Sequence, residues 1–257
     1  MIKQIATHNK IFHADEITAI ALLKVFKKYT IVVNRVDHST EDFSNFDMLI
    51  DIGRKFDGVK YFDHHQYKGG KSSAGLIWDY VGLEKEYPKI SRFINHIDKN
   101  DVGIKRAGEF EFPSLIRAFN SKGINDEEQD ICFNKAVDFT ITILNFMKSM
   151  EEDILEVKDI VNKSYFFESN KHIIELDKYT PYWSTFINGN TMPNIKAVVW
   201  EDTNENNWKV KVPPKKLGSF ELNAKALKQD AKMQFVHSSG FFAIAENRMV
   251  MKEYLKA

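Results

Sequence analysis

A single cysteine, Cys132, stands among 257 residues, so no internal disulfide supports the fold. That scarcity fits a reducing compartment. Neither sign of charge is in surplus, since 36 Lys and Arg balance 36 Asp and Glu. The balance argues against a histone-like or polybasic binder and leaves room only for a local basic cleft. No apolar run approaches the ~18–20 residues of a membrane span. The richest, Ile17 to Phe26, is cut by Lys24. Strand-like sequence begins at Ile2, which leaves no room for a targeting peptide, and the expected location is cytoplasmic. There is no internal repeat and no low-complexity tract. What is present is ordinary for a globular protein: 43% hydrophobic and 28% charged residues. A chain of this length buries about three quarters of the surface its unfolded form exposes. Folding therefore needs no disulfide or structural metal.

The first 80 residues alternate strand and helix signals. Ile2 to Ala6, Thr30 to Val36, Met48 to Ile52 and Val59 to Phe62 read as short strands. Asp15 and Glu16 open an apolar helix to about Lys28, with acids where the helix dipole favours them. Helices between short strands predict a parallel sheet with βαβ crossovers, and ligands then lie beyond the carboxyl ends of the strands. Pro88 opens a helix carrying Ile90, Phe93, Ile94 and Ile97, and 126–163 predicts one or two long helices. Further on, His172 to Leu176, Ile195 to Trp200, Trp208 to Val212, Phe235 to Val236 and Phe241 to Ala245 read as strands, with a final helix from Glu246. A boundary is expected near residue 168, giving domains 1–168 and 169–257.

Histidines and acids cluster at element ends. His8, His13 and Asp15 share one strand-to-helix turn; Asp51 ends a strand; Asp63, His64 and His65 end the next; Asp98 and Asp101 lie just past a helix. Taken singly, His8 is a turn histidine, Asp15 an N-cap, and Asp51 or Asp63 turn chemistry. Parallel strands bring them to one sheet edge, where packed carboxylates repel one another unless cations intervene. Mixed His and Asp donors suit Mn²⁺, Fe²⁺, Co²⁺ or Zn²⁺, and the absence of cysteine disfavours a closed structural zinc site.

Four further features carry two readings each. Arg35 ends a strand, either to meet a phosphate or to pair with Asp37 or Asp51. Ser72 and Ser73 precede a helix, as N-caps or as an anion site. Lys209, Lys211, Lys215 and Lys216 form a basic rim or a solvated face. His237-Ser238-Ser239-Gly240 forms a tight turn, either plain or with backbone N–H groups converging on an anion through His237, Ser238 and Gly240.

The ordered set His8-Asn9-Lys10-Ile11-Phe12-His13-Ala14-Asp15-Glu16, Asp51-Ile52-Gly53, Tyr61-Phe62-Asp63-His64-His65-Gln66 and Ser72-Ser73-Ala74-Gly75-Leu76-Ile77 resembles the Myg family, a branch of the DHH phosphoesterase superfamily. The tail Phe235-Val236-His237-Ser238-Ser239-Gly240-Phe241 resembles it too. The resemblance implies an α/β protein. Its N-terminal DHH-type domain has a mainly parallel sheet with flanking helices, and a smaller C-terminal α/β domain closes over the cleft to bind substrate. It implies two divalent ions, most often manganese, on His8, His13, Asp15, Asp51 and His64, with Asp98 or Asp101 as the last ligand. Asp51 takes the bridging role and His65 the phosphate-contacting or general-acid role. Ala14 stands where the family commonly has cysteine.

The expected activity is therefore metal-dependent phosphodiester hydrolysis of nucleic acid or short nucleotides, 3′-to-5′ exonuclease-like, by a water shared between two metal ions. Nucleic acid or nucleotide is the expected partner and no membrane; a homo-oligomer is compatible. Hydrolysis of a phosphoanhydride such as pyrophosphate, hydrolysis of an amide, and a non-catalytic metal or nucleotide sensor are the competing readings.

Overall fold

The computed structural model describes residues 2–66, 69–120, 126–187, 194–212 and 232–256. The chain divides into two compact units, residues 1–149 and 150–257. The first is a mixed α/β unit on a four-stranded sheet, β1 (Ile2–His8), β2 (Thr30–Val36), β3 (Met48–Ile50) and β4 (Tyr61–Phe62). The spatial order is β2-β1-β3-β4 and every pair is parallel. The order reverses at β1, so a topological switch point lies between β1 and β3, where open α/β sheets form their ligand crevice.

The β-branched run of β2 and the period-2 alternation of β1 and β3 explain the sheet. Ile5, Met48 and Ile50 enter the main core, whereas Ala6 and Leu49 join Phe43 and Ile52 in a smaller cluster on the opposite face. The main core also takes α1 (Ala14–Leu22), α2 (Ser73–Val81), α3 (Pro88–Asp101) and α4 (Phe112–Arg117). Every residue of α1 is buried, including Asp15, Glu16 and Thr18. The helix runs on through one π-helical turn, Leu23–Lys27, and stops at Lys28, whose φ is 53°.

Only the β1-to-β2 crossover is helical. The expected helices between the later strands are absent: 37–47 and 51–60 are loops. Short acids hold them. Asp37 accepts from the Ser39 N–H and Oγ, Asp42 from the Ser44 N–H, and Asp57 from the N–H groups of Val59, Lys60 and Tyr61. Such side-chain-to-backbone bonds compete with the helical ladder and favour turns.

The 38-residue α5 (Asp126–Lys163) is one helix and contributes residues to both units. The second unit holds a six-stranded sheet of β5 (Tyr165–Phe166), β6 (Ile173–Leu176), β7 (Ala197–Asp202), β8 (Asn207–Lys211), β9 (Met233–Val236) and β10 (Phe242–Ala245). Its order is β5-β6-β7-β8-β10-β9, and only β6 and β7 run parallel. Among the described residues the unit also carries the helices α6 (Trp183–Ile187) and α7 (Arg248–Lys256). Lys215 and Lys216 lie outside the described residues.

One contact in the first unit fixes the helices that flank the sheet edge. At the start of α2, the Ser72 N–H, Ser72 Oγ and Gly75 N–H all donate to Asp98 Oδ1 of α3, at 3.0, 2.7 and 3.1 Å. A Cβ on Gly75 would sit 2.4 Å from Asp98 Oδ2. Alanine in place of a helical glycine ordinarily stabilises. Here Gly75→Ala must push a locked buried carboxylate aside, so denaturant unfolding should show a loss of about 1–3 kcal/mol, the usual range for overpacking. A gain in stability would show that this contact is not as close as described.

Candidate metal centre

Register builds the site. Ala6 pairs with Leu49 and Ile50 with Phe62. Two further residues along β1 and one along β3 and β4 put His8, Asp51 and Asp63 level, one on each strand end. Asp51 leaves β3 with φ 57°, in the left-handed region that Asp tolerates better than most residues. Its N–H still bonds to Phe62 O at 3.2 Å. The carboxylate is thereby turned into the centre of a cluster.

Asp51 Oδ2 lies 3.3 Å from His8 Nε2, and Asp51 Oδ1 lies 3.3 Å from His64 Nε2 and 3.5 Å from His65 Nδ1. Ser73 Oγ donates to Asp51 Oδ1 at 3.1 Å. His64 Nε2 is also 3.0 Å from Asp101 Oδ2 and 3.8 Å from Asp15 Oδ2. His8 Nδ1 donates to the Asn9 carbonyl at 2.9 Å, which leaves Nε2 facing Glu16 at 3.1 Å and Asp51. A histidine whose outer nitrogen is fixed by a carbonyl is the arrangement metal-binding imidazoles use. His13 is the N-cap residue of α1, with its ring 5.9 Å from that of His8. The donors fall into three groups whose atoms lie within 4.8 Å of one another: His8, His13, Glu16 and Asp51; Asp51, His64 and His65; Asp15, His64 and Asp101.

Electrostatics follow from this packing. Burial alone would lower the pKa of His8, yet Asp51 and Glu16 raise it to about 10. Burial is likewise overcome at His64, where Asp101 and Asp51 raise it to about 10. Asp51 is held well below the usual carboxylate range despite burial, by bonds to His64 and His8. Asp15 moves the other way: burial, then the charges of Asp51, Asp101 and Glu16, push it up. Neither Asp15 oxygen has a hydrogen-bond partner among the described residues. A fully buried carboxylate whose oxygens accept no hydrogen bond is costly unless a proton or a cation joins it. The donor set and the unpaired Asp15 fit a divalent ion.

Several residues expected at the site have other partners. Asp98 binds the start of α2, and Asp101 is the residue beside His64 and Asp15. Arg35 pairs with neither Asp37 nor Asp51: it donates to Asp130 at 2.8 Å and to the Lys10 carbonyl, and its guanidinium lies 4.8 Å from the Phe133 ring centre. Its side chain is 4% exposed, which leaves no face for a phosphate. Ser73 is buried against Asp51 and does not offer an open anion site. In the second unit, Gly240 has φ 68°, but its N–H bonds to the His237 carbonyl and the Ser239 N–H to His237 Nδ1. The expected convergence of those amides on an anion is therefore not available in this turn, which Ser238 completes.

A family model described as "Uncharacterised protein family (UPF0160)" and labelled MYG1_exonuc matches residues 4–255. The chain belongs to this family. It is 26% identical to a MYG1 protein of Saccharomyces cerevisiae over 327 aligned residues, which cover 100% of this chain and 95% of the relative. A MYG1 protein of Schizosaccharomyces pombe is 29% identical over 68% of this chain and 71% of its own. A protein of Bos taurus named MYG1 exonuclease is 26% identical over 93% of this chain and 80% of its own.

Two contributors in this MYG1-family chain, Glu16 and His38, escape a reading of the sequence, and a third, Asp63, is legible only as a member of the cluster. Glu16 Oε1 accepts the His13 N–H at 2.8 Å as a capping residue and meets His8 at the same time. Nothing local distinguishes it from an ordinary cap. His38 stacks on His8, ring centres 4.8 Å apart, from an irregular loop with no periodic signal. Asp63 grips His65, through Nδ1 at 2.8 Å and the backbone N–H at 2.9 Å. Its place beside two histidines was the available signal. Among the described residues, no helix is long and apolar enough to cross a membrane.

Asp15 provides the sharpest test of the fit. Asp15→Asn removes a buried charge that has no hydrogen bond and is opposed by Asp51 and Asp101. The metal-free variant should be at least as stable as metal-free wild type, because the amide carries no charge for Asp51 and Asp101 to oppose and can donate to neighbouring carboxylates. Added Mn²⁺ should then raise the melting temperature of wild type but much less that of the variant. A destabilised variant with full Mn²⁺ response would separate Asp15 from any cation site.

Proposed function

We propose that this protein is a metal-dependent phosphodiesterase of the DHH type acting on nucleic acid, in the manner of a 3′-to-5′ exonuclease. The observation that carries the reading is the buried Asp51 carboxylate, touched on one oxygen by His8 and on the other by His64, at the switch point of a parallel sheet. The exonuclease names of relatives aligned over 93% of this chain and 80% of their own length support the substrate class. Two divalent ions, most suitably Mn²⁺, would be held by His8, His13, Asp15, Asp51, His64 and Asp101, with Glu16 beside them and Asp51 shared. When bound, such ions activate a water near neutral pH and neutralise charge on the phosphoryl oxygens.

The remaining work falls to side chains. Ser73 fixes the rotation of the Asp51 carboxylate. Asp63 accepts from His65 Nδ1, so that nitrogen carries the proton and Nε2 is left for substrate. The Asp63 bond, with the charges of Asp51 and Asp63, raises the pKa of His65 against partial burial. His65 is also 53% exposed, where His64 is 13% exposed. A half-exposed imidazole oriented by a buried acid is suited to donate to a phosphoryl oxygen or to the leaving oxygen. We assign substrate holding to the second unit. Its own cavity is lined by Tyr179, Trp200, Asp202, Lys209, Lys211, Phe241 and Phe242; Lys209 is paired with Asp202 and Glu205, so Lys211 is the cation for a phosphate and Phe241 and Phe242 are the rings for a base.

Single-stranded RNA, dinucleotides, nucleotides and pyrophosphate, each assayed with Mn²⁺ and with EDTA, test the reading. Asp51→Asn should lose bound metal and hydrolysis together. His65→Ala should keep most of its metal and lose roughly 10²–10⁴-fold in kcat, the range for a general acid or base. Hydrolysis of pyrophosphate without phosphodiester cleavage, or full activity in EDTA, would sink it.

A further inference from the structure

Two cavities meet at one pair of side chains. The first, about 550 Å³, brings Arg106 and Arg117 to the cluster. The second, about 790 Å³, brings Arg54. Asp51 and His65 line both. All three arginines are exposed, and among the described residues none of their guanidinium groups has a hydrogen bond or ion pair. Their neighbours are not left so. Lys105 and His96 both pair with Glu111, and Lys55 lies 3.8 Å from Asp57. Unpaired guanidinium groups beside a carboxylate-rich cluster are not needed to hold the fold.

The backbone positions two of them. Gly103, with φ 76°, ends α3, and the Lys105 N–H returns to the Lys99 carbonyl while Asn100 Nδ2 donates to the Lys105 carbonyl. This turn delivers Arg106 to the cavity wall. On the other side, Arg54 has φ 48°, a strained value for its type, and its N–H is held by Asp63 Oδ2 at 2.7 Å. The same carboxylate that orients His65 therefore also fixes Arg54.

We propose that Arg106 and Arg117 on one flank, and Arg54 on the other, form a two-sided phosphate track for a single-stranded polynucleotide whose scissile phosphodiester lies at Asp51 and His65. The inference rests on the phosphodiesterase reading and narrows its substrate. A guanidinium matches phosphate in a fork geometry that a lysine does not. Either cavity falls in the range that encloses a small ligand. A compact phosphoanhydride needs cations on one flank only, whereas a chain continuing past the scissile bond needs them on both.

Salt dependence of binding tests this without turnover. The full chain in EDTA is titrated into a 5′-fluorescein-labelled oligoadenylate, and anisotropy is followed over a range of KCl. Arg54→Gln, Arg106→Gln and Arg117→Gln should each weaken binding and lower the slope of log K against log salt by about 0.7, the value for one lost single-strand phosphate contact. Bound Mn²⁺ and melting temperature should match wild type, which rules out a folding defect. Wild-type slopes in all three variants, with wild type still cleaving RNA, would overturn the track alone. An effect from Arg106 and Arg117 but not Arg54 would overturn its two-sidedness. Wild type that neither binds the oligonucleotide nor cleaves RNA would overturn the phosphodiesterase reading and the track with it.

Discussion

Four carboxylates, Asp15, Glu16, Asp51 and Asp63, end within one sheet edge and are each at most 3% exposed. Like charges packed out of water repel strongly, and much of the local structure answers that problem. His8 and His64 stand between acids, and each is drawn toward its charged form by them. Ser73 and the N–H groups of Arg54 and His65 donate to carboxylate oxygens. The first turn of α1 places Asp15 and Glu16 at the positive end of a helix dipole. Hydrogen bonds reach Asp51 and Asp63, whereas Asp15 has only the helix dipole and His64 at 3.8 Å. The shortfall at Asp15 leaves a place where a proton or a cation would relieve the repulsion.

Sheet topology decides which acids meet. Because the strand order reverses at β1, the exits of β1 and β3 are adjacent while the chain leaves them in different directions. The gap that results holds side chains instead of a crossover. The two non-helical crossovers keep this edge open, since loops pinned by Asp37, Asp42 and Asp57 stay short. Helix α2 closes the far side by placing Ser73 on Asp51, and its own start is anchored by Asp98. A residue that binds nothing in the cluster thus sets the position of one that does.

Much of the first unit was legible because its strands are strongly patterned. Thr30–Val36 has the same bounds in sequence and structure, and the acids and histidines follow apolar runs directly. What the sequence left open were choices made by distant partners. Asp98 and Asp101 are three apart on one helix and face similar directions. The start of α2, some 26 residues away, captures the first and frees the second. Arg35 looked poised at a strand end until Asp130, 95 residues on, took it. Glu16 was hidden by doing two things at once, since its capping role is sufficient reason for its presence. In the second unit, the strands and the tight turn at His237–Gly240 were readable, but the parallel pairing of β6 with β7 has no local signal.

Strain is concentrated where the chemistry is expected. Asp51, Gly53 and Arg54 have φ values of 57°, 96° and 48°, three left-handed residues within four. Such a segment persists only when its surroundings over-determine it. Asp63 supplies much of that constraint: Oδ2 holds the Arg54 N–H, and Oδ1 holds both the N–H and the ring of His65. A single buried carboxylate on β4's exit therefore ties the loop that carries Asp51 to the histidine that faces the cavity. Three donors occupy its two oxygens, two on Oδ1 and one on Oδ2. The conspicuous Asp63-His64-His65 run accordingly divides its labour, with the acid fixing the frame, the first histidine facing the buried carboxylates and the second facing outward. That division follows from exposure and bonding partners alone, and it explains how three adjacent residues of similar chemistry serve three separate ends.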